Sequence, residues 1–188
     1  GLRRLRSRFE QPLHFGVGRL VEVLVPKPDR RERLRGVRTH NRVGHSSQPL
    51  AGLLVLDFTT LLPGPLATLM LAEAGAQVIK IERPGGEDMR RFPPFFEGEG
   101  AAFTLLNRGK TSLVLDLKSE SGRATLKPLL EKADVLIEQF RPDVMTRLGF
   151  GYDAVRALNS RLIYCSISGY GQIGPRSGEA GHDLNYIG

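Results

Sequence analysis

The clearest structural pattern in the sequence is "LLVLDFTTLLPGPLATLMLAEAGAQVIKIER", residues 53–83. An apolar run of strand length (53–58) leads into a turn rich in proline and glycine, and a helical pattern follows over 66–76. The helix is expected to end at Gly75, because glycine readily adopts the left-handed conformation that ends many helices. A second apolar strand follows at 77–83, so this stretch predicts one strand–helix–strand unit.

The same alternation continues along the rest of the chain. Its strands are apolar on both faces, which is typical of a sheet covered by helices on each side. The pattern therefore predicts an α/β fold with a Rossmann-like, doubly wound parallel sheet. The further predicted elements are a loop at 84–101, strands at 112–117, 134–140 and 162–168, and helices at 121–132, 142–148 and 152–158.

The net charge of +7 is concentrated at the start of the 188-residue chain. Residues 1–48 hold 12 Lys and Arg against 4 Asp and Glu, whereas residues 49–188 hold 15 against 16. We expect residues 1–48 to be a disordered or extraneous basic leader, and residues 49–188 to form the fold. The nearly neutral body lacks the interleaved basic and aromatic residues of a nucleic-acid-binding surface, so we predict no nucleic-acid partner.

The single cysteine, Cys165, excludes an internal disulfide and a cysteine metal site, and we predict no metal. Because Cys165 lies in an apolar strand without a neighbouring base, it is interpreted as a buried small side chain and not as a nucleophile. No apolar run reaches the length of a membrane span. The expected location is the cytoplasm, or the mitochondrion or peroxisome of a eukaryote.

The turn after the first strand argues against a nucleotide site. Its sequence, "TTLLPGPLA" (59–67), lacks the G-x-G-x-x-G pattern of dinucleotide-binding folds, and the chain has no P-loop. Pro63 and Pro65 also remove backbone N–H donors that a pyrophosphate would need. We therefore predict neither a nicotinamide nor a nucleoside triphosphate site.

Several stretches, taken in order, resemble the family III CoA-transferases of the CaiB/BaiF type, a superfamily that includes the α-methylacyl-CoA racemases. The resemblance covers nearly all of residues 50–188 and leaves out residues 1–48. The stretches are "GLLVLDFTTLLPGPLATLMLAEAGAQVIKIERPGGED" (52–88), "NRGKTSLVLDLKSESG" (107–122), "ADVLIEQFRPDVMTRLGFGYD" (133–153), "NSRLIYCSISGYGQIGP" (159–175) and "AGHDLNYIG" (180–188).

The resemblance implies an enzyme that acts on acyl-CoA thioesters. This sequence would be the first part of the large domain, with the small domain and the return segment missing, and the full-length protein would form an interlocked homodimer. No cofactor would be permanently bound, because coenzyme A enters as part of the substrate.

Coenzyme A is a polyanion that needs cations and backbone donors. In a doubly wound sheet, ligands collect beyond the carboxyl ends of the strands, which favours Arg83, Lys118 and Arg141. The glycine-rich segment "GYGQIGP" (169–175) is expected to form a tight turn at the mouth of the site. The resemblance implies further contacts with coenzyme A. The full set of predicted CoA-binding residues is Arg83, Leu115, Asp116, Leu117, Lys118, Gln139, Phe140, Arg141, Arg147, Gly181, Asp183, Asn185 and Tyr186.

His182 is the predicted catalytic residue. In the racemase branch, sequences of the "GHDINY" type place the catalytic base at this histidine, and a base with a pKa near 6.5 can both remove and return a proton. The leading prediction is thus racemisation at the α-carbon of 2-methylacyl-CoA thioesters, with a partner aspartate beyond Gly188. The alternatives are a CoA-transferase that uses an aspartyl intermediate and an inactive CoA-binding fragment. The 188-residue chain alone is expected to be inactive.

Overall fold

The structure, a computed structural model, describes residues 20–24 and 48–182. A short 3-10 helix spans Asp88–Arg91. The α-helices are α1 (Pro63–Glu73), α2 (Ala101–Asn107), α3 (Glu120–Lys132), α4 (Val144–Arg147) and α5 (Tyr152–Leu158). The strands are β1 (Leu20–Leu24), β2 (Leu54–Phe58), β3 (Gln77–Glu82), β4 (Phe95–Phe96), β5 (Glu99–Gly100), β6 (Thr111–Val114), β7 (Val135–Glu138) and β8 (Ile163–Ser168).

One six-stranded sheet organises these elements, in the order β1-β8-β7-β2-β3-β6, and β4 and β5 form a separate two-stranded sheet. Strands β8, β7, β2, β3 and β6 run parallel to one another, whereas β1 pairs antiparallel with β8. The chain winds first to one side of β2 and then, after β6, to the other. The predicted α/β fold with a doubly wound parallel sheet is confirmed.

Apolar side chains pack on both faces of this sheet. Successive side chains of a strand point to opposite faces. Leu56 therefore joins the cluster that includes Leu126 and Leu130 of α3, and its neighbour Val55 joins the cluster on the other face with Val78. Each of these five side chains is almost fully buried. Burial on both faces explains why the strands read as continuous apolar runs.

The observed elements differ from the predicted ones mainly at their ends. Helix α1 starts at Pro63, three residues before the prediction, because proline has the φ of a first helical turn and needs no N–H donor there. Helix α2 was not predicted, since its seven residues are too few for a clear helical period. Strand β7 ends at Glu138, so Gln139 and Phe140 already belong to the following turn.

Strand β1 comes from the segment that the sequence assigns to a leader. Residues Leu20–Leu24 pair with Tyr164–Ser168 along the outer edge of β8. The rest of residues 1–47 lie outside the described residues, so the domain boundary at residue 48 stays a prediction. Among the described residues, no helix is both long enough and apolar enough to cross a membrane.

Candidate functional site

The reversal of strand order around β2 defines where a ligand would bind. The chain leaves β2 for β3 on one side, and it returns to place β7 on the other side. In open α/β sheets, a crevice forms at the carboxyl ends of the strands at such a topological switch point. The loops that follow β2, β7 and β8 meet at this edge of the sheet.

A cleft of about 330 Å³ lies between these loops. Its walls come from the turn after β2, the turn after β7 and the long segment after β8. The cleft is lined by Leu61, Leu62, Pro63, Gln139, Phe140, Arg141, Pro142, Ile167, Ser168, Gly169, Ser177, Glu179, Ala180, Gly181 and His182.

The turn after β2 reaches the cleft in a constrained conformation. Leu61 has φ 60°, in the left-handed region that a leucine rarely adopts. Gly64 packs so closely against Thr59 that an added Cβ would lie 2.2 Å from the Thr59 Cβ. The turn thus needs a glycine at position 64, and it presents Leu61 and Leu62 to the cleft.

The first turn of α1 offers no unpaired backbone donor. Pro63 and Pro65 have no N–H, and the N–H of Gly64 donates to Oε1 of Gln139 at 3.2 Å. An anion at a helix N-terminus is normally bound by these N–H groups. This geometry is consistent with the prediction that the turn between β2 and α1 does not bind a pyrophosphate.

Five of the predicted site residues come together at the cleft. Gln139, Phe140 and Arg141 line it from the turn after β7, and Gly181 and His182 line it from the segment after β8. The Arg141 side chain is exposed, and its Nη1 lies 3.5 Å from the carbonyl oxygen of Gly178, at the limit of a hydrogen bond. Arg141 forms no ion pair with any described residue, so its charge is available at the rim.

The other described members of the predicted set do not line this cleft. Arg83 follows β3, with a side chain 64% exposed and an ion pair to Asp88 at 2.6 Å. Arg147 is exposed at the end of α4. Asp183, Asn185 and Tyr186 lie outside the described residues. The contacts of all these residues with CoA stay predictions.

The segment Leu115, Asp116, Leu117 and Lys118 follows β6, at the same edge of the sheet but beyond β3. Helix α3 approaches it closely, because a Cβ at Gly122 would lie 2.0 Å from the carbonyl oxygen of Asp116. The Ser119 side chain caps the helix by accepting the Gly122 N–H at 3.0 Å. The segment is thereby fixed in place, and Lys118 is exposed.

His182 lies in an irregular segment on the cleft wall, and it is exposed. Glu179 and Arg141 line the same cleft. An exposed imidazole at this position can reach a ligand in the cleft. The structure places the predicted catalytic residue at the cleft, and its catalytic role stays a prediction.

A network of buried charges beside the cleft was not predicted. Lys80 and Glu87 form an ion pair of 2.7 Å, and each side chain is only 2% exposed. Lys110 lies 3.2 Å from Asp57, with both side chains similarly buried. Burial lowers the pKa of the Lys110 ammonium, although Asp57 opposes this shift. The sequence does contain one sign of this network: the apolar run "LVLDF" includes Asp57, and the apolar run "QVIKIE" includes Lys80 and Glu82.

Cys165 is half-buried in β8, so it is less buried than the sequence predicts. Burial, with the neighbouring Glu138 adding to the effect, raises the pKa of the Cys165 thiol to about 11. A thiol of this kind is protonated near neutral pH and is a poor nucleophile. Among the described residues, no group of three His, Cys, Asp or Glu side chains could hold a metal ion.

Comparison with known proteins identifies the family of this chain. The model of CoA-transferase family III matches residues 50–187. The chain is 51% identical over 128 residues to the acetyl-CoA:oxalate CoA-transferase of Acetobacter aceti, covering 68% of this chain and 33% of that protein. It is 47% identical to the succinate–glutarate CoA-transferase of Agrobacterium fabrum, covering 72% of this chain and 36% of the relative. The chain spans about a third of these curated relatives.

Solved structures agree with the family match. A CaiB/BaiF family protein from Brucella suis superposes with a TM-score of 0.70 at 40% identity, covering 74% of this chain and 38% of that one. Rv3272 from Mycobacterium tuberculosis superposes with a TM-score of 0.69 at 42% identity, covering 74% of this chain and 39% of that one. These structures share the α/β fold of this chain over the part that they cover.

Proposed function

The chain belongs to CoA-transferase family III, and from that premise we propose that the full-length protein transfers coenzyme A between carboxylic acids. The observation that carries this proposal is the cleft at the topological switch point, with the exposed Arg141 at its rim. The names of the curated relatives support it, because those quoted above are CoA-transferases.

The described residues would form the part of the site that binds the thioester. Arg141 would pair with a phosphate of coenzyme A, since a guanidinium and a phosphate form strong charge-assisted hydrogen bonds. Leu61, Leu62 and Phe140 line the same cleft with apolar surface, which suits the less polar arm that leads to the thioester. The cleft would thus hold one end of coenzyme A by charge and the other by apolar contact.

Transfer itself would need a nucleophile that the resemblance places beyond Gly188. The protein carboxylate would attack the thioester carbonyl and expel the CoA thiolate, which gives a mixed anhydride; the thiolate would then attack the protein's carbonyl in that anhydride, which releases the donor acid and leaves a protein–CoA thioester. The acceptor carboxylate would attack this thioester and expel the thiolate, and the thiolate would attack the acceptor's acyl carbonyl, which releases the new acyl-CoA and restores the protein carboxylate. In such a sequence the residues described here bind and orient the thioester. Positioning of this kind can supply a large part of a rate enhancement.

The test is an exchange assay with the full-length protein. An acyl-CoA donor is incubated with a labelled carboxylic acid, and formation of the labelled acyl-CoA is followed. We expect label to enter the CoA thioester only when both donor and acceptor acid are present. Hydrolysis without exchange, or no reaction with a panel of dicarboxylic acids, would reject CoA transfer.

A second candidate is racemisation at the α-carbon of a 2-methylacyl-CoA, and the observation in its favour is His182 at the cleft. One group on each face of the carbon is required, and His182 would supply one of them. Incubation with a chiral 2-methylacyl-CoA in deuterated water separates the two functions. Deuterium at the α-carbon without an acceptor acid supports racemisation, and its absence leaves CoA transfer as the proposal.

A further inference from the structure

The loop formed by residues 59–64, here called the β2 loop, is held to the protein through its own backbone. On the β3 side, Nζ of Lys80 donates to the carbonyl oxygen of Thr59 at 2.8 Å. Oε1 of Glu87 accepts the N–H of Leu61 at 2.6 Å. Because Lys80 and Glu87 also pair with each other, one buried ion pair fixes two successive parts of the loop.

On the β7 side, a single amide holds the same loop. Nε2 of Gln139 donates to the carbonyl oxygen of Thr60 at 2.7 Å and approaches Oγ1 of that residue at 3.4 Å. Oε1 of Gln139 accepts the N–H of Gly64 at 3.2 Å. Both ends of the amide are engaged, so the side chain has little capacity left for a ligand.

These anchors hold a conformation that a leucine does not favour. A non-glycine residue in the left-handed region persists only when its surroundings over-determine it, and the anchored residue Leu61 is the one with φ 60°. A buried ion pair is also a costly way to gain stability alone, since apolar side chains of similar size often serve as well. A role in fixing the loop accounts for both features.

We propose that Gln139 is a positioning residue: together with the Lys80–Glu87 pair it clamps the β2 loop from opposite sides and sets the width of the cleft. Its side chain does not bind coenzyme A. The family resemblance, in contrast, implies that Gln139 contacts coenzyme A. The activity measurement in the test below rests on the proposed function.

The experiment compares two amide-to-leucine variants of the full-length protein. Gln139→Leu removes the clamp at nearly constant volume. Asn159→Leu is the matched control, because Asn159 is a buried amide that caps carbonyl groups of Leu130 and Ala133, remote from the cleft. We expect Gln139→Leu to lower kcat/KM for the acyl-CoA about 10- to 100-fold through misplaced substrate, and to speed hydrogen exchange in residues 59–64. Asn159→Leu should lower the melting temperature and leave both quantities unchanged.

A double-variant cycle separates positioning from direct contact. If Gln139 acts through the β2 loop, its effect on kcat/KM will not add to that of Glu87→Leu, because each change removes a side chain that anchors the same loop. If Gln139 touched coenzyme A, the two effects would add and exchange in residues 59–64 would stay at the wild-type rate; that result would overturn the proposal. Should Gln139→Leu not fold, Gln139→Glu keeps an acceptor for Gly64 but turns a carboxylate oxygen toward the Thr60 carbonyl oxygen, and faster exchange in residues 59–64 is again expected.

Hydrogen exchange needs no substrate, so the clamp and the proposed function can fail separately. Faster exchange in a variant of a protein that transfers no coenzyme A would reject the function and keep the clamp. Normal exchange in a fully active variant would reject the clamp and keep the function.

Discussion

Two buried carboxylates end the strands on either side of β2, and their environments are opposite. Glu82 at the end of β3 and Glu138 at the end of β7 are each 4% exposed. Burial is the largest influence on Glu82 and favours its neutral form, but hydrogen bonds from Arg90, Ser112 and the Glu87 N–H outweigh it and lower the pKa of Glu82 to about 2. Burial raises the pKa of Glu138, although Ser166 and the Phe140 N–H oppose this shift.

The cations on the two sides of β2 also have different partners. On the β3 side, Lys80, Arg90 and Lys110 are all paired with carboxylates inside the protein. On the β7 side, no described cation pairs with Glu138, and the exposed Arg141 lines the cleft. On the β3 side these three cations are held inside the protein, and on the β7 side Arg141 is exposed at the cleft, where we propose that it binds a ligand.

The largest effect is expected from Arg90→Met, which removes the partner of Glu82. Arg90 binds Glu82 at 2.5 Å and Glu99 at 2.6 Å. Leaving a buried carboxylate without its cation should lower the free energy of unfolding by about 3–5 kcal/mol, measured by urea denaturation of the full-length protein. The exposed pair of Arg83 with Asp88 is the control, and Arg83→Met should cost at most about 1 kcal/mol. Equal losses in the two variants would mean that burial does not distinguish these pairs.

Next in size is the effect of Arg141→Ala on ligand binding. Loss of a charged hydrogen bond to phosphate should weaken CoA binding by about 1.5–3 kcal/mol, measured by calorimetry at low salt. Arg161→Ala is the control, because Arg161 is exposed at the amino end of β8, at the edge of the sheet opposite the cleft. If the dissociation constant of coenzyme A were unchanged in Arg141→Ala, the proposed contact between Arg141 and a phosphate would be rejected.

Glu82→Gln should lower stability in a pH-dependent way, by about 1–3 kcal/mol at pH 7. The folded pKa of Glu82 lies below its ordinary value of 4.5. The stabilisation by its charge is therefore present above that value and is lost as the pH falls toward 2. Unfolding curves at pH 7 and pH 3 should differ less for the variant than for the wild type. Parallel curves for the two proteins would contradict the shift.

The smallest effect, of opposite sign, is expected from Glu138→Gln. Because the folded pKa of Glu138 is raised, its neutral form is favoured, and stability falls as the pH rises through the unfolded value of 4.5 toward the folded one. The neutral glutamine removes that loss, so the variant should be slightly more stable than the wild type at pH 7 and not at pH 4. Destabilisation of the variant at pH 7 would mean that the ionised Glu138 carboxylate stabilises the fold, which would contradict the raised pKa.

The sheet could be predicted from the sequence because continuous apolar strands alternate with helices. The position of Arg141 at the cleft could be predicted because Arg141 follows one of those strands. The charged network was not predicted as a whole: Lys80 lies inside an apolar run, but its partner Glu87 looks like an ordinary surface residue until the fold buries it. The roles of Gln139 and of the unusual backbone at Leu61 depend on contacts between residues up to 79 positions apart. No local pattern encodes such contacts.

Binding of the CoA thioester in the cleft between the turns after β2 and β7 can be tested by a crystal structure of the full-length protein in complex with coenzyme A. We expect coenzyme A to lie between residues 61–63 and 139–142, with the Arg141 guanidinium bound to a phosphate. Coenzyme A bound elsewhere, for example against Phe96 and Phe103 in the shallow pocket beside α2, would contradict it.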